Sequence, residues 1–147
     1  MAAYTITATE VTPGSASTGM APTILYGIAG AAITAGQAIY LDETTNTLKL
    51  AQCDGTAAEA ECVGVALNSS AIGQPVGYVA QGDIYLDTAA LTNATKGEVT
   101  TLTATAGGLG PNEDNATTNY VSIVGVMVTS NPGLLRVSIN NTGITHV

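Results

Sequence analysis

Val63-Gly64-Val65 recurs as Val124-Gly125-Val126, and the second triplet lies 61 positions after the first. The same offset relates three pairs of glycines along the chain. These pairs are Gly36 and Gly97, Gly64 and Gly125, and Gly82 and Gly143. Glycine is needed where the backbone turns with a positive φ angle, or where another strand passes close to it. Recurrence of such positions at a fixed spacing predicts that one β-rich structural unit is present twice.

Apolar residues alternate with a period of two in both copies, which is typical of strands that bury one face. Val63, Val65 and Leu67 form one such row, and the residues 61 positions later form another. Val, Ile, Thr and Tyr favour strands, and 17 glycines supply turns. The sequence therefore predicts an all-β fold, a compact β-sandwich or β-barrel-like domain of antiparallel sheets built from two repeats, with short helical turns only.

The duplication also predicts how the chain is divided. Residues 28–147 are expected to form a single β-rich domain, with repeat 1 at about 30–86 and repeat 2 at about 91–147. Residues 1–27 lie outside the duplication, and Tyr4-Thr5-Ile6-Thr7 alternates like a strand before a polar hinge. An extended N-terminal arm of this kind can add a strand to the sheet of a neighbour. A first strand of the same domain fits the pattern equally well.

Three segments between the predicted strands carry weaker signals. Residues 88–95 are expected to form a short helix with Asp87 as its N-cap, and residues 104–118 a long surface loop. Asp83 and Asp87 flank a strand-like stretch, where their side chains would lie about 13 Å apart. That distance is too long for the carboxylate pair of a retaining glycosidase. We therefore interpret both aspartates as turn residues at strand ends.

The charge of the chain limits its partners. The net charge is −8, and Lys49, Lys96 and Arg136 are the only cationic Lys or Arg side chains. Nucleic acid and anionic membrane surfaces both require clustered cations, so neither is an expected partner. Charged residues form only 10% of the chain, against about 25% in average soluble domains. Such a surface indicates either burial in an assembly or a small-residue β protein kept soluble by its net charge.

The sequence contains neither a basic leader nor a long apolar run. The first 48 residues carry no Lys or Arg, so a secretory signal peptide is not expected. No stretch of about 20 apolar residues without polar interruption is present, so a transmembrane helix is not expected either. The protein is therefore expected to be made in the cytoplasm.

Few residues in the chain suggest catalysis. The only histidine, His146, is one residue from the end, so no His-based triad is expected. Asn112-Glu113-Asp114-Asn115 offers oxygen ligands of the kind that Ca²⁺ prefers, but its spacing matches no EF-hand and favours a solvated acidic turn. Cys53 and Cys62 either close a short loop or remain buried thiols. We expect a non-enzymatic protein without metal, cofactor or small-molecule substrate.

Three stretches of the first copy resemble the capsid decoration, or cement, proteins of tailed bacteriophages. They are residues 35–42, 63–76 and 81–82. In that family a Gly-x-x-hydrophobic strand precedes a hydrophobic-Gly-Val-Ala strand. A small-residue turn ending in Gly-x-x-Val then leads to a strand that closes on glycine. The match covers residues 30–86, and extends more loosely over the second copy to residue 143.

The resemblance implies a homotrimer on the outer surface of the phage virion, made in the host bacterial cytoplasm, that binds the major capsid protein. The N-terminal arm of such proteins often orders on the capsid. Here the arm maps to four candidate capsid contacts: Tyr4, Thr5, Ile6 and Thr7. The alternatives are a head-fibre or tail-associated adhesin, a carbohydrate-binding β domain, and an enzyme with an unrecognised carboxylate or Thr nucleophile.

Overall fold

The computed structural model describes residues 3–112, 116 and 118–145. Its regular elements are strands, with two short 3-10 turns at Ala8–Glu10 and Ala16–Thr18, and the predicted all-β fold is confirmed. Within the described residues, no helix is long and apolar enough to cross a membrane. The strands are β1 (Thr12–Pro13), β2 (Thr23–Ile28), β3 (Ala38–Asp42), β4 (Thr47–Leu50), β5 (Cys62–Ala66), β6 (Pro75–Asp87), β7 (Val99–Leu102), β8 (Leu109–Pro111), β9 (Tyr120–Ser130) and β10 (Gly133–Thr145).

All ten strands belong to one antiparallel sheet that curls into a half-barrel. The arrangement is thus nearer to the barrel-like form than to two sandwiched sheets. The main path through the sheet is β4-β3-β5-β6-β10-β9-β7-β8, and β1 and β2 pair with β6 away from this path. Tyr85 pairs with both β1 and β10, and Gln81 pairs with both β2 and β10. The two N-terminal strands therefore run along the edge of β6 that faces away from β10.

The strand order is the same in the two copies when the sheet is followed inward from its two ends. It is β4-β3-β5-β6 for the first copy and β8-β7-β9-β10 for the second. Strands β3, β4 and β5 of the first copy pair with one another as β7, β8 and β9 do in the second. The matching central rows are Ile39, Leu50 and Gly64 in the first copy, and Thr100, Pro111 and Gly125 in the second. Both copies also shift register directly after the central residue, between Ile39 and Tyr40 and between Thr100 and Thr101.

The repeated glycines occupy equivalent places for two physical reasons. A Cβ at Gly64 would lie 2.5 Å from the carbonyl oxygen of Val79, and one at Gly125 would lie 2.0 Å from that of Arg136. Both glycines therefore let the return strand of their own copy approach closely. The other four have positive φ angles, namely Gly36 (90°), Gly97 (84°), Gly82 (100°) and Gly143 (68°).

Two groups of apolar side chains fill the fold. The smaller group lies where the first copy closes on itself, because Ala29, just after β2, bridges to Leu48 of β4. Its buried members are Ala29, Ile33, Ile39, Leu48, Ala66 and Val76. The larger group draws on both copies and on the N-terminal segment. Its fully buried large side chains are Val65, Val79, Ile84, Leu86, Leu102, Leu109, Val124, Met127, Leu135 and Val137.

Three local predictions were wrong. Residues 88–95 form turns and a bridge instead of a helix, and the carboxylate of Asp87 accepts a hydrogen bond from the Ala89 backbone N–H. The expected loop at 104–118 contains the buried strand β8. Asp83 lies inside the 13-residue strand β6 and is fully buried, so it is no strand-end residue. A strand interior tolerates this aspartate because its charge is paired, as described below.

Candidate interaction surface

The predicted N-terminal contact residues lie on the body of their own chain. Tyr4 is only 7% exposed, and its backbone N–H donates to the carbonyl oxygen of Leu109 at 2.9 Å, which covers the edge of β8. The Tyr4 hydroxyl lies 2.8 Å from a carboxylate oxygen of Glu98 and 3.0 Å from the hydroxyl oxygen of Thr100. The Tyr4 ring thus ties the N-terminus to the second copy.

The next three candidates alternate in exposure. Thr5 pairs with Thr92 through a β-bridge and exposes its side chain, as does Thr7. Ile6 is half-buried, packs against the larger core and lies close to Gly36. Within 4–7, therefore, the side chains of Thr5 and Thr7 are the ones available to a partner in this conformation.

An ion pair between the buried Asp83 and the partly exposed Arg136 fixes the segment that follows. The Arg136 guanidinium donates to both carboxylate oxygens of Asp83, at 2.8 Å and 3.1 Å. The same carboxylate accepts hydrogen bonds from the Thr18 hydroxyl at 2.7 Å and from the Met20 backbone N–H at 3.0 Å. Asp83 therefore joins β6 to β10 and also holds the chain between β1 and β2.

The ionisation of Asp83 follows from these contacts. Burial alone pushes the pKa of Asp83 upward, because the charged form loses water. The hydrogen bonds from Arg136, Thr18 and Met20 outweigh burial, and the pKa of this carboxyl lies below its ordinary value. Conversely, the carboxylate raises the pKa of Arg136. The pair is therefore charged over the whole neutral range.

Strand β2 presents an unusual amount of apolar surface for an edge strand. Leu25 and Ile28 are exposed, and Tyr26 is 76% exposed, with its ring lying against Gly77. Ile72, in the loop between β5 and β6, is 72% exposed. We call the surface formed by Tyr26, Ile28, Ile72 and Pro75 the uncharged face.

The uncharged face is built from two segments without ionic side chains. No Asp, Glu, Lys, Arg or His occurs in residues 11–41 or in residues 62–82. The segments meet where Ile28 pairs with Pro75, and where the Gly73 N–H donates to the Ala29 carbonyl oxygen at 2.8 Å. On a chain of net charge −8, this concentration of neutral apolar surface is a candidate contact region.

The loop that carries Ile72 is held in one conformation by its own polar groups. The side-chain amide of Asn68 donates to the Ser70 hydroxyl and to the Pro75 carbonyl oxygen, and its oxygen accepts from the Gly77 N–H. The Ser70 hydroxyl also donates to the Pro75 carbonyl oxygen at 2.6 Å. These polar atoms are engaged within the loop while Ile72 faces solvent.

The acidic residues gather on a different part of the molecule. A groove of about 360 Å³ lies between the β3–β4 hairpin and residues 56–61, and the carboxylates of Asp42, Glu43, Glu59 and Glu61 line it. Lys49 pairs with Asp42 at 2.7 Å, and this hydrogen bond lowers the pKa of Asp42. The Glu59 carboxylate accepts a hydrogen bond from the Thr56 backbone N–H at 2.9 Å, so it is engaged in a local turn.

A metal or disulfide site would draw on the cysteines and the acidic side chains. No three His, Cys, Asp or Glu side chains lie close enough together to hold a metal ion in the described ranges. His146 and residues 113–115 of the acidic turn lie outside those ranges. Cys53 and Cys62 are buried thiols, and burial raises the pKa of Cys62 to about 12. Neither thiol forms the disulfide that their spacing allows.

No protein-family model, curated protein sequence or solved structure matches this chain.

Proposed function

We propose that this protein decorates the outer surface of a tailed-bacteriophage head and stabilises contacts between its major capsid proteins. The observation that carries the proposal is the uncharged face on an otherwise acidic β scaffold. A protein of this role needs surfaces that bind other proteins and a rigid frame to hold them. The sequence resemblance to capsid decoration proteins supports the same assignment.

The proposed working form is a homotrimer bound at several points of the shell. Linked contacts bind with an effective concentration in the millimolar range, so modest affinity at each point becomes firm attachment. The paired registers of the two copies and the Asp83–Arg136 ion pair give each subunit a stiff body. Such a body transmits load between neighbouring capsid subunits without needing a reactive side chain.

Residues 4–7 stay the proposed capsid contacts, with Thr5 and Thr7 as the accessible pair. Because Tyr4 lies in the core, deleting the N-terminus would perturb the fold as well as any contact. The sharper test replaces Thr5 and Thr7 together by glutamate and measures cosedimentation with assembled empty shells. Binding should fall steeply at an unchanged melting temperature.

A matched control replaces two exposed threonines of the β3–β4 turn, Thr44 and Thr45, by glutamate. This variant should bind the shells as the wild type does. The wild-type protein should also raise the temperature at which shells burst, measured by scanning calorimetry. Wild-type protein that neither sediments with shells nor shifts their bursting temperature would refute the proposed function.

A carbohydrate-binding role is the second candidate, because the exposed Tyr26 ring is a surface on which a sugar can stack. Sugar recognition also requires polar groups around the ring. Those of Asn68 and Ser70 are turned into their own loop, which favours a protein partner. Specific binding on a glycan array, lost in Tyr26→Ala, would reverse this preference.

A further inference from the structure

The edges of the sheet are protected unequally. The edge of β8 is covered by Tyr4, and β4 carries the charged Lys49 and is bridged by Ala29. In the described part of the chain, β2 pairs along Thr23–Ile28 with β6 alone. Edge strands usually carry charges or are covered, because an open edge pairs with other chains. Strand β2 carries no charge, and among the described residues its second edge has no ladder partner until Ala29, just past its end, bridges to Leu48 of β4.

Both faces of β2 are apolar and exposed. Leu25 projects from one face, and Tyr26 and Ile28 project from the other, since successive side chains alternate along a strand. A strand that only covers its own core needs apolar residues on one face. Exposure on both faces indicates that a second protein surface covers the strand.

The rigid loop next to β2 extends the same surface. Backbone hydrogen bonds between Ala29 and residues 73–74 hold Ile72 beside the end of β2. The hydrogen bonds of Asn68 and Ser70 hold the rest of the loop in place. Because the loop is already ordered, docking against Ile72 costs little additional conformational entropy. This preorganisation is expected of a residue that contributes strongly to binding.

We propose that the uncharged face is the surface through which copies of this chain bind one another. The inference rests on the self-association part of the proposed function and adds its location. Given self-association, the charge distribution locates the contact. Two bodies of net charge −8 repel each other, and the uncharged faces are where two copies approach without opposing carboxylates. Apolar groups of β2 and of the Ile72 loop then meet on both sides of the contact.

The test measures molecular mass by analytical ultracentrifugation over a range of micromolar concentrations. The wild type should sediment as a multiple of the 14.6 kDa chain. Tyr26→Lys and Ile72→Lys each place a charge in the contact and should weaken association by at least about 30-fold. Raising the salt concentration should not weaken wild-type association, because salt screens the repulsion between the acidic bodies.

Ile144→Lys is the matched control, because Ile144 is 66% exposed on β10 and lies outside the uncharged face. This variant should associate as the wild type does. Measured at a dilution where every form is monomeric, all three variants should keep the wild-type melting temperature, since association itself raises the melting temperature. A monomeric wild type, or an Ile144→Lys variant as damaged as Ile72→Lys, would overturn the inference. Shell cosedimentation separates the two proposals. A monomer that binds shells refutes this inference and the homotrimeric form but leaves the capsid role standing, and an oligomer that ignores shells refutes the capsid role alone.

Discussion

Replacing Gly125 by alanine should destabilise the fold more than alanine at Gly64 or Gly97. The new methyl carbon would lie 2.0 Å from the carbonyl oxygen of Arg136, where ordinary contacts begin at 3.4 Å. Strand β9 must therefore move away from β10 by about 1.4 Å, which exceeds what a ladder hydrogen bond tolerates. Losing two such bonds and overpacking the site costs about 4 kcal/mol, a large part of the about 5–15 kcal/mol typical of a domain.

Alanine substitutions at Gly64 and Gly97 provide the comparison for the loss of stability. Gly64→Ala brings its methyl carbon to 2.5 Å from the carbonyl oxygen of Val79, so a smaller shift and a cost of about 2–3 kcal/mol are expected. Gly97 has a φ angle of 84°, and a methyl carbon added there would meet no atom within 4 Å. Gly97→Ala should therefore cost only the left-handed backbone strain of about 1–2 kcal/mol.

Urea denaturation and thermal melting followed by circular dichroism measure these differences. At about 2–4 °C per kcal/mol, Gly125→Ala should lower the melting temperature by about 8–16 °C. The order of damage should be Gly125, then Gly64, then Gly97. Equal losses at Gly125 and Gly97 would refute the argument from close approach, since both substitutions add the same methyl group.

Three further outcomes are expected. Asp83→Asn should lower the free energy of unfolding by about 2–3 kcal/mol at neutral pH, since it leaves the guanidinium of Arg136 without its charged partner. Because the pKa of Asp83 is lowered by folding, this stabilisation should be full above about pH 4 and be lost as the pH falls through the folded-state pKa. If the free energies of unfolding of wild type and variant do not converge in acid, the reasoning is contradicted. Tyr4→Phe should cost about 1–2 kcal/mol in urea denaturation, because it removes the buried hydroxyl and its two contacts; an unchanged midpoint would mean that residues 4–7 do not dock in solution. Cys62, whose pKa is raised by burial to about 12, should resist thiol reagents in the native protein and react in guanidinium, and rapid labelling of the native protein would contradict its burial.

The glycine spacing is informative because it marks places where the backbone itself is constrained. A positive φ angle or a close strand approach leaves few alternatives to glycine, so the sequence positions of Gly36, Gly64 and Gly82 transfer directly to the second copy. Alternation along 63–67 is sufficient for the all-β class, since a period of two has one simple structural meaning. Both signals are visible in the order of residues along the chain, without knowing which residues meet in space.

The remaining features depend on residues far apart in sequence. Asp83 and Arg136 are 53 residues apart, and no local pattern distinguishes a paired aspartate inside a strand from one at its end. The sequence pattern favours Asp87 as a helix cap because the same side-chain geometry also caps a tight turn. The backbone N–H of Leu91 donates to the Ser130 carbonyl oxygen, and this contact holds residues 88–95 in an irregular path. The uncharged face likewise requires knowing that residues 24–28 and 72–75 are neighbours.

The pairing of β6 with β10 bears on how the duplicated chain arose. Residues 81–87 pair with residues 133–138, so a ladder of hydrogen bonds joins the two copies in addition to the peptide that links them. Thr88, Ala89 and Ala90 in that connecting peptide are exposed, which makes it a suitable place for a nick or for new termini. Two separately expressed fragments should find each other and refold, as expected if a half-length ancestor assembled as a symmetric pair before gene fusion.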